Sequence, residues 1–198
     1  SLEQVEAKLK GAWSLIDMNK GWIKDYEYRR AALMLQKFYG WHLSNKNKLI
    51  GVEEKFEFKL GKAIVSGSID RVELTTEGKY YIVDLKTGAT PISYEDAQSN
   101  KQLQSYQLAV VNDGFKNKLE HQEVDGAQLI FVGDHKGKEA KPRPQDPVDA
   151  KAVSDQIEEI AIKMSDKSFV AIINDRCRSC AVKSSCPIQP AGKSVIQS

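Results

Sequence analysis

Residues 67–106 read GSIDRVELTTEGKYYIVDLKTGATPISYEDAQSNKQLQSY and contain the strongest pattern in the sequence. Within them, the segment 80–85 is an apolar run of strand length that is interrupted only by Asp84. Such a run is typical of a strand buried on both faces, where an unpaired carboxylate is costly. Lys86 lies two residues further and projects from the same face of the strand. Asp84 therefore predicts a compensating positive charge, which is a bound cation, the Lys86 ammonium, or both.

The residues before this strand predict an antiparallel hairpin. Apolar side chains alternate with polar ones from Leu49 to Glu73, and Gly61-Lys62 supplies the turn. A second turn leads into a strand over residues 80–86. Asp70 then lies across that turn from Asp84, so strand pairing can bring the two carboxylates together. Hard oxygen ligands of this kind suit Mg²⁺ or Mn²⁺.

Helices are predicted around these strands from the spacing of apolar residues. They cover residues 25–40, 91–112 and 148–164. Residues 127–132 form another buried-type strand, and its position after a helix predicts a right-handed parallel crossover. Residues 133–147 are rich in Lys, Gly and Pro and are expected to form a loop without regular structure. The predicted fold is therefore α/β, with a mixed central sheet flanked by helices.

The helix over 91–112 is expected to leave the same end of the sheet that carries Asp84. Gln102 and Tyr106 are four residues apart, so they are neighbours on one helix face. Lys86 is suited to orienting a water molecule and to stabilising negative charge on a phosphate. Five polar side chains are expected to converge there: Asp70, Asp84, Lys86, Gln102 and Tyr106.

Three linked motifs follow one another in this region, namely Gly67-x-Ile69-Asp70-Arg71, Asp84-x-Lys86-Thr87-Gly88 and Gln102-x-x-x-Tyr106. Together with the predicted order of helix, three-strand meander, helix and strand, they resemble the RecB-type branch of the PD-(D/E)xK nuclease superfamily. The resemblance implies a restriction-endonuclease-like core. It also implies a metal-dependent deoxyribonuclease, an exonuclease, within a larger ATP-dependent helicase-nuclease that acts in DNA repair and recombination.

The resemblance implies metal-binding and catalytic roles for matching residues. Asp70, Asp84 and the main-chain carbonyl of Leu85 are expected to bind Mg²⁺ or Mn²⁺. Lys86 is expected to be the catalytic lysine, acting with the two aspartates on an attacking water. Related enzymes also use a histidine from an upstream Gly-x-x-x-His helix, and His42 lacks that context. Either this ligand lies N-terminal to the chain or the site is incomplete.

The resemblance also implies residues that meet the substrate. Gln102 and Tyr106 are expected to contact the DNA backbone near the scissile phosphate, and Arg71 is expected to bind DNA or to buttress the site. The expected partners are DNA and a helicase motor domain, either of the same polypeptide or of a partner subunit. Little base preference is expected.

All the cysteines of the chain lie near its end, at Cys177, Cys180 and Cys186. This odd and clustered set argues against a disulfide framework and for metal or cluster ligation in a reducing compartment. It resembles the C-terminal cysteine triplet of nucleases that carry a 4Fe-4S cluster. Such a cluster normally needs four thiolates, so we expect the fourth cysteine to lie outside this chain. A zinc site that includes His135 is the competing interpretation.

Composition sets limits on the remaining possibilities. The formal net charge is +2, with 41% hydrophobic and 28% charged residues. No apolar run approaches the roughly 20 residues of a membrane span, so we expect a soluble, cytoplasmic protein with no membrane partner. The expected domains are a nuclease domain over 1–175 and a cysteine-cluster segment with a tail over 176–198. The alternative functions are a catalytically inactive nuclease-fold module that binds DNA or another protein, and a zinc-binding scaffold unrelated to nucleases.

Overall fold

The sequence folds into a five-stranded sheet with helices packed on its two faces. The computed structural model describes residues 1–16, 21–117, 119–166 and 171–190. The elements in these residues are α1 (Leu2–Ser14), α2 (Trp22–Ser44), β1 (Lys48–Leu60), β2 (Ala63–Leu74), β3 (Tyr80–Lys86), α3 (Tyr94–Gln98), α4 (Lys101–Val111), β4 (Val124–Phe131), β5 (Lys141–Gln145) and α5 (Ala150–Ser165). The chain divides into two compact units, Ser1–Glu158 and Glu159–Ser198.

The strands are ordered β1-β2-β3-β4-β5 across the sheet. Neighbouring strands are antiparallel except for β3 and β4, which are parallel. This confirms the predicted α/β fold with a mixed sheet and a crossover between β3 and β4. The crossover places α4 after β3 and brings the carboxyl ends of β3 and β4 to the same edge.

Alternate residues of the central strands pack into two separate cores. Ile82 and Leu129 belong to the core that includes Leu103 of α4. Val83 and Ile130 belong to the core on the other face, where Met34, Phe38 and Trp41 of α2 pack against them. Because the centres of β3 and β4 are buried on both faces, the segments 80–85 and 127–132 are apolar except for Asp84 and Gln128.

The helix predicted over 91–112 is two helices, because the chain breaks at Ser99 and Asn100. The Asn100 side chain accepts a hydrogen bond from the Leu103 N–H at 3.0 Å and caps α4. The buried Gln145 amide on β5 donates to the carbonyls of Ala97 and Asn100 at 2.8 and 3.1 Å. These bonds satisfy the backbone at the break, and they fix the point at which α4 begins.

The prediction of a loop over 133–147 is wrong in part, because 141–145 form the edge strand β5. Its prolines, Pro142 and Pro144, lie opposite Ile130 and Gln128 of β4. An edge strand tolerates proline because a residue whose N–H would face solvent has no ladder bond to lose.

The helix predicted to end at Gly40 continues to Ser44. The Asn45 N–H still bonds to the Trp41 carbonyl at 3.0 Å. A glycine inside a helix costs about 1 kcal/mol, and the packing of Trp41 against the sheet outweighs that cost. No helix of the described residues is both long and apolar enough to cross a membrane.

Candidate active site

Asp70 is fixed at the point where β2 and β3 stop pairing. The ladder between these strands runs from Leu74 opposite Tyr80 to Arg71 opposite Val83. One residue further, the Asp70 carboxylate accepts a hydrogen bond from the Leu85 N–H at 2.7 Å. A side chain thus continues the contact between the strands, and Asp70 is held beside the segment that carries Asp84.

Asp84 is a buried carboxylate, with 3% of its surface exposed. Burial raises its pKa, and the nearby charge of Asp70 raises that pKa further, whereas Lys86 opposes the shift. The Lys86 ammonium lies 2.7 Å from Asp84 Oδ2. The Asp84 carboxylate is therefore paired with the Lys86 ammonium, while the negative charge of Asp70 still acts on it.

Four side chains form a closed ring of polar contacts. The Lys86 ammonium donates to Gln102 Oε1 at 2.8 Å, and Gln102 Nε2 donates to the Tyr106 hydroxyl oxygen at 2.7 Å. The Tyr106 hydroxyl in turn bonds to the Asp84 carboxylate. Burial raises the pKa of Tyr106, so the hydroxyl keeps its proton and remains a donor. The ring closes at the Asp84–Lys86 pair.

The register of the sheet brings the ring together. Asp84 and Lys86 lie on β3, opposite Leu129 and Phe131 of β4. The Lys86 carbonyl accepts from the Val132 N–H at 3.0 Å, beyond the end of β4. Because α4 begins at Lys101, Gln102 lies in its first turn, next to the carboxyl end of β3.

Arg30 of α2 is a residue at this edge that sequence reasoning missed. Its guanidinium donates to the Thr87 carbonyl at 3.2 Å and pairs with Glu27 at 3.3 Å. Its Nε atom is buried without a hydrogen-bond partner among the described residues. No local motif marks Arg30, and only the packing of α2 on the sheet brings it to the residue that follows Lys86.

Arg71 is a predicted site residue that lies away from the others, next to His42. Arg71 is buried, pairs with Glu73, and contacts His42 Nδ1 at 3.2 Å. Its guanidinium also lies 5.5 Å from the centroid of the Trp41 ring. Glu73 is fully buried and accepts hydrogen bonds from Asn45 as well. The structure therefore brings Asp70, Asp84, Lys86, Gln102 and Tyr106 together and leaves Arg71 and His42 in a separate polar cluster under α2.

The carboxylates of the site fit a divalent cation by their chemistry. Asp70 and Asp84 offer hard oxygen atoms, and the pKa of Asp84 is raised first by burial and then by the charge of Asp70, a cost of ionisation that a bound cation would offset. The Leu85 carbonyl belongs to the same backbone segment. Within the described residues, no group of three or more His, Cys, Asp or Glu side chains forms a metal site. A cation here would rest on two carboxylates, main-chain oxygen and water.

The cysteines lie in the second unit, around two short 3-10 helices over Asp175–Ser179 and Lys183–Ser185. Cys177, Cys180 and Cys186 are free thiols. The Asn174 N–H donates to Cys177 Sγ at 3.3 Å. In the part of the chain that the structure describes, the three thiols are not gathered into a metal-holding group. Three thiols are one fewer than the four that a cluster normally needs.

Comparison with known proteins identifies a family. A family model described as the PD-(D/E)XK nuclease superfamily matches residues 1–187. Among solved structures, the crystal structure of SSO0001 is similar, with 16% sequence identity and a TM-score of 0.44 over 94% of this chain and 96% of that chain. No curated protein matches.

Proposed function

The chain belongs to the PD-(D/E)XK nuclease superfamily, whose members are generally metal-dependent nucleases, and we propose that it hydrolyses phosphodiester bonds of DNA with Mg²⁺ or Mn²⁺. The support for this proposal is the ring of Asp84, Lys86, Gln102 and Tyr106 beside Asp70. The ring and Asp70 together place an ammonium and two carboxylates at the carboxyl end of β3. That combination suits the attack of water on a phosphate.

In this proposal each charged residue has a defined part. Asp70, Asp84 and the Leu85 carbonyl would hold the cation, which supplies charge neutralisation at the phosphate and lowers the pKa of water. The Lys86 ammonium orients the attacking water and stabilises the negative charge that develops on the phosphate. Its contacts with Asp84 and Gln102 fix it before substrate arrives, so little reorganisation is needed during the reaction.

Gln102 and Tyr106 would serve both the site and the substrate. Gln102 is exposed, so its amide is accessible to the DNA backbone, whereas Tyr106 is buried and makes an edge-on contact with the Phe56 ring at 5.8 Å between centroids. The buried Tyr106 thus holds Gln102 at a fixed place. Arg71 enters this proposal as a buttress, because its guanidinium is committed to Glu73.

Metal-dependent cleavage tests the proposal directly. The purified chain of residues 1–198 is incubated with labelled linear DNA, either single- or double-stranded, in Mn²⁺, in Mg²⁺ or in EDTA. We expect shortening of the DNA with Mn²⁺ or Mg²⁺ and none with EDTA. Intact DNA under all conditions would contradict the proposal.

Replacing Tyr106 by Phe tests the ring. The change keeps the aromatic contact with Phe56 and removes only the hydroxyl that joins Gln102 to Asp84. We expect cleavage to slow about tenfold, because one positioning hydrogen bond is worth about 1.4 kcal/mol. The melting temperature should stay close to that of the wild type. The matched control is Tyr26→Phe on α2, an exposed hydroxyl whose loss should leave the rate unchanged; equal rates for Tyr106→Phe and Tyr26→Phe would contradict the role of the ring.

A second candidate function is a nuclease-fold module that binds DNA without cutting it. The placement of His42 favours this alternative, because His42 contacts Arg71 in the cluster under α2 and does not stand beside the two carboxylates as a further metal ligand. Under this alternative the protein retards DNA in a binding assay and leaves it intact with Mn²⁺ present. Cleavage that requires Asp84 would exclude it.

We also propose the wider setting that the motifs suggest. Gln102-x-x-x-Tyr106 supports a RecB-type exonuclease that acts in DNA repair beside a helicase motor, and the three free thiols suit a reducing, cytoplasmic compartment. The nuclease domain would cover 1–175. The spacing of the cysteines in 176–198 supports a 4Fe-4S cluster only if a fourth thiolate comes from outside this chain. An absorbance spectrum after anaerobic purification, recorded with the chain or partner that supplies the fourth thiolate, tests the cluster, and the absence of a broad visible absorption band would contradict it.

A further inference from the structure

A second surface, formed by β5 and the residues around it, combines an aromatic ring with positive charge and lies near the candidate active site. We call it the Tyr94 surface, and it consists of Tyr94, Lys138, Lys141 and Arg143. These residues line an open depression of about 490 Å³. Tyr94 is 60% exposed, and the Arg143 guanidinium lies 4.4 Å from the centroid of its ring. The guanidinium covers one side of the ring and leaves a large part of it open to solvent.

The surface is held in place by bonds that reach into the fold. Arg143 Nε donates to the Ile92 carbonyl at 2.6 Å, which ties β5 to the segment before Tyr94. Lys141 pairs with the buried Asp134 carboxylate, and this pairing lowers the pKa of Asp134. The ammonium of the buried Lys37 donates to the Asp134 carbonyl. Because these bonds already hold the backbone and Arg143 in place, ligand binding costs little conformational entropy at this surface.

The sheet register places this surface beside the candidate active site. Leu129 of β4 lies between Asp84 and Arg143, and is paired with both. Phe131 lies in the same way between Lys86 and Lys141. Directly opposed residues project from the same face of a sheet, and two strand spacings amount to about 10 Å. Arg143 and Lys141 thus extend the two rows that begin at Asp84 and Lys86.

The charges of the surface favour a polyanion. Lys141 is paired with Asp134, and among the described residues Lys138 and Arg143 add two positive charges against the one negative charge of Glu139 at the same depression. Lys138 is exposed. Exposed aromatic rings combined with cations are typical of sites that bind single-stranded nucleic acid, where bases stack on the ring and phosphates contact the cations.

We propose that the Tyr94 surface binds a single DNA strand next to the phosphate being cut. A base stacks on the open side of the Tyr94 ring, and the adjoining phosphates contact Lys138 and Arg143. This inference rests on the proposed function, because it takes the edge that carries Asp84 and Lys86 as the place of cleavage. It assigns β5 and α3, which lie outside all the active-site motifs, to substrate binding.

The test measures binding without cleavage. The affinity of the full chain for a fluorescein-labelled 20-nucleotide oligo-dT is determined by anisotropy in EDTA at low salt. We expect Tyr94→Ala to weaken binding about tenfold, since one base stack is worth about 1 to 3 kcal/mol. Tyr94→Phe keeps the ring and should bind like the wild type. Lys138→Ala should weaken binding and reduce its salt dependence.

The matched control for charge is Lys59→Ala. Lys59 is exposed on β1, the edge strand on the far side of the sheet from β5. Its replacement should change binding by less than twofold. Equal affinities for wild type and Tyr94→Ala would overturn the inference, as would an effect of Lys59→Ala equal to that of Lys138→Ala. A loss for Tyr94→Ala that is as large with duplex DNA would overturn the assignment to a single strand.

The outcome separates this inference from the proposed function. Because binding is measured in EDTA, a protein that never cuts DNA but loses affinity with Tyr94→Ala would contradict the proposed function and keep the Tyr94 surface as a single-strand site. A protein that cuts DNA with Mn²⁺ but binds oligo-dT equally with and without Tyr94 would overturn the Tyr94 surface alone. A melting curve of Tyr94→Ala, whose side chain is mostly exposed, confirms that the variant is folded.

Discussion

Replacing Asp84 by Asn is expected to lower metal-dependent cleavage of DNA by about 10³-fold or more while the protein stays folded. Asn has nearly the shape of Asp, so the packing of β3 is retained. The change removes one of two carboxylates in the cation site and the charge that fixes the Lys86 ammonium at 2.7 Å. One substitution thus weakens both charged groups that the proposed reaction needs.

The same substitution should not destabilise the metal-free protein. Burial and the charge of Asp70 raise the pKa of Asp84 in the native state. A native pKa above the unfolded value means that the ionised carboxylate lowers the free energy of unfolding at neutral pH, and that this cost disappears as the pH falls below the unfolded pKa. Asp84→Asn should therefore melt at the same temperature as the wild type or higher at pH 7, with the difference shrinking in acid.

Activity and melting temperature together give a sharp test. The matched control is Asp155→Asn on α5, where the carboxylate is 63% exposed and pairs with Lys151. This control should keep its cleavage rate within twofold. A cleavage rate of Asp84→Asn within tenfold of the wild type would contradict the metal-binding role. A strong fall in its melting temperature would show that Asp84 serves the fold instead.

Much of the site could be predicted because its spacing is local. The strand over 80–86 is found as predicted, since an apolar run bounded by a turn defines β3. The two-residue period of β3 places Lys86 beside Asp84, and the four-residue period of α4 places Gln102 beside Tyr106. These periods depend on backbone geometry alone. The hairpin turn adds Asp70 to the same place.

The parts that sequence could not give depend on distant contacts. Arg71 follows Asp70 directly, yet its side chain lies in the polar cluster under α2. There it pairs with Glu73 and packs against the Trp41 ring. Arg30 reaches Thr87 across 57 residues of sequence. The prolines of β5 argue against a strand at the level of sequence, and β5 forms because β4 offers an edge with which it can pair. Trp41 and Thr87 lie far along the chain from the arginines they contact, and periodicity carries no information over such distances.

Replacing Gly133 by Ala is expected to lower the free energy of unfolding by about 3 kcal/mol, which corresponds to a fall in melting temperature of about 6 to 12 °C. A Cβ atom at Gly133 would lie 2.0 Å from the Thr87 carbonyl oxygen and 2.8 Å from the Gly88 carbonyl oxygen. Both neighbours are backbone, so no flexible side chain can move aside. The residues that follow β3 and β4 must separate to make room.

The separation should also reduce cleavage, measured well below the melting temperature. The Gly133 and Val132 N–H groups both bond to the Lys86 carbonyl, at 3.4 and 3.0 Å. Pushing the Thr87 backbone away shifts Lys86, and a displacement of about 1 Å at a catalytic group can cost about 10²-fold in rate. Gly133 lies outside all the motifs of the site and makes no contact with substrate in the proposed function. Its effect on rate would therefore come through Lys86.

Gly88→Ala is the matched control, because Gly88 and Gly133 lie in the two adjacent segments that follow β3 and β4. At Gly88 an added Cβ has no described atom within 4 Å. This variant should unfold within about 0.5 kcal/mol of the wild type, and any change should be stabilising, since Ala restricts the unfolded chain. If Gly133→Ala melts and cleaves like Gly88→Ala, the close approach to Thr87 does not constrain Lys86. If only Gly133→Ala loses stability and rate while its affinity for oligo-dT in EDTA is kept, the spacing of β3 and β4 controls the reaction step rather than the binding of the strand.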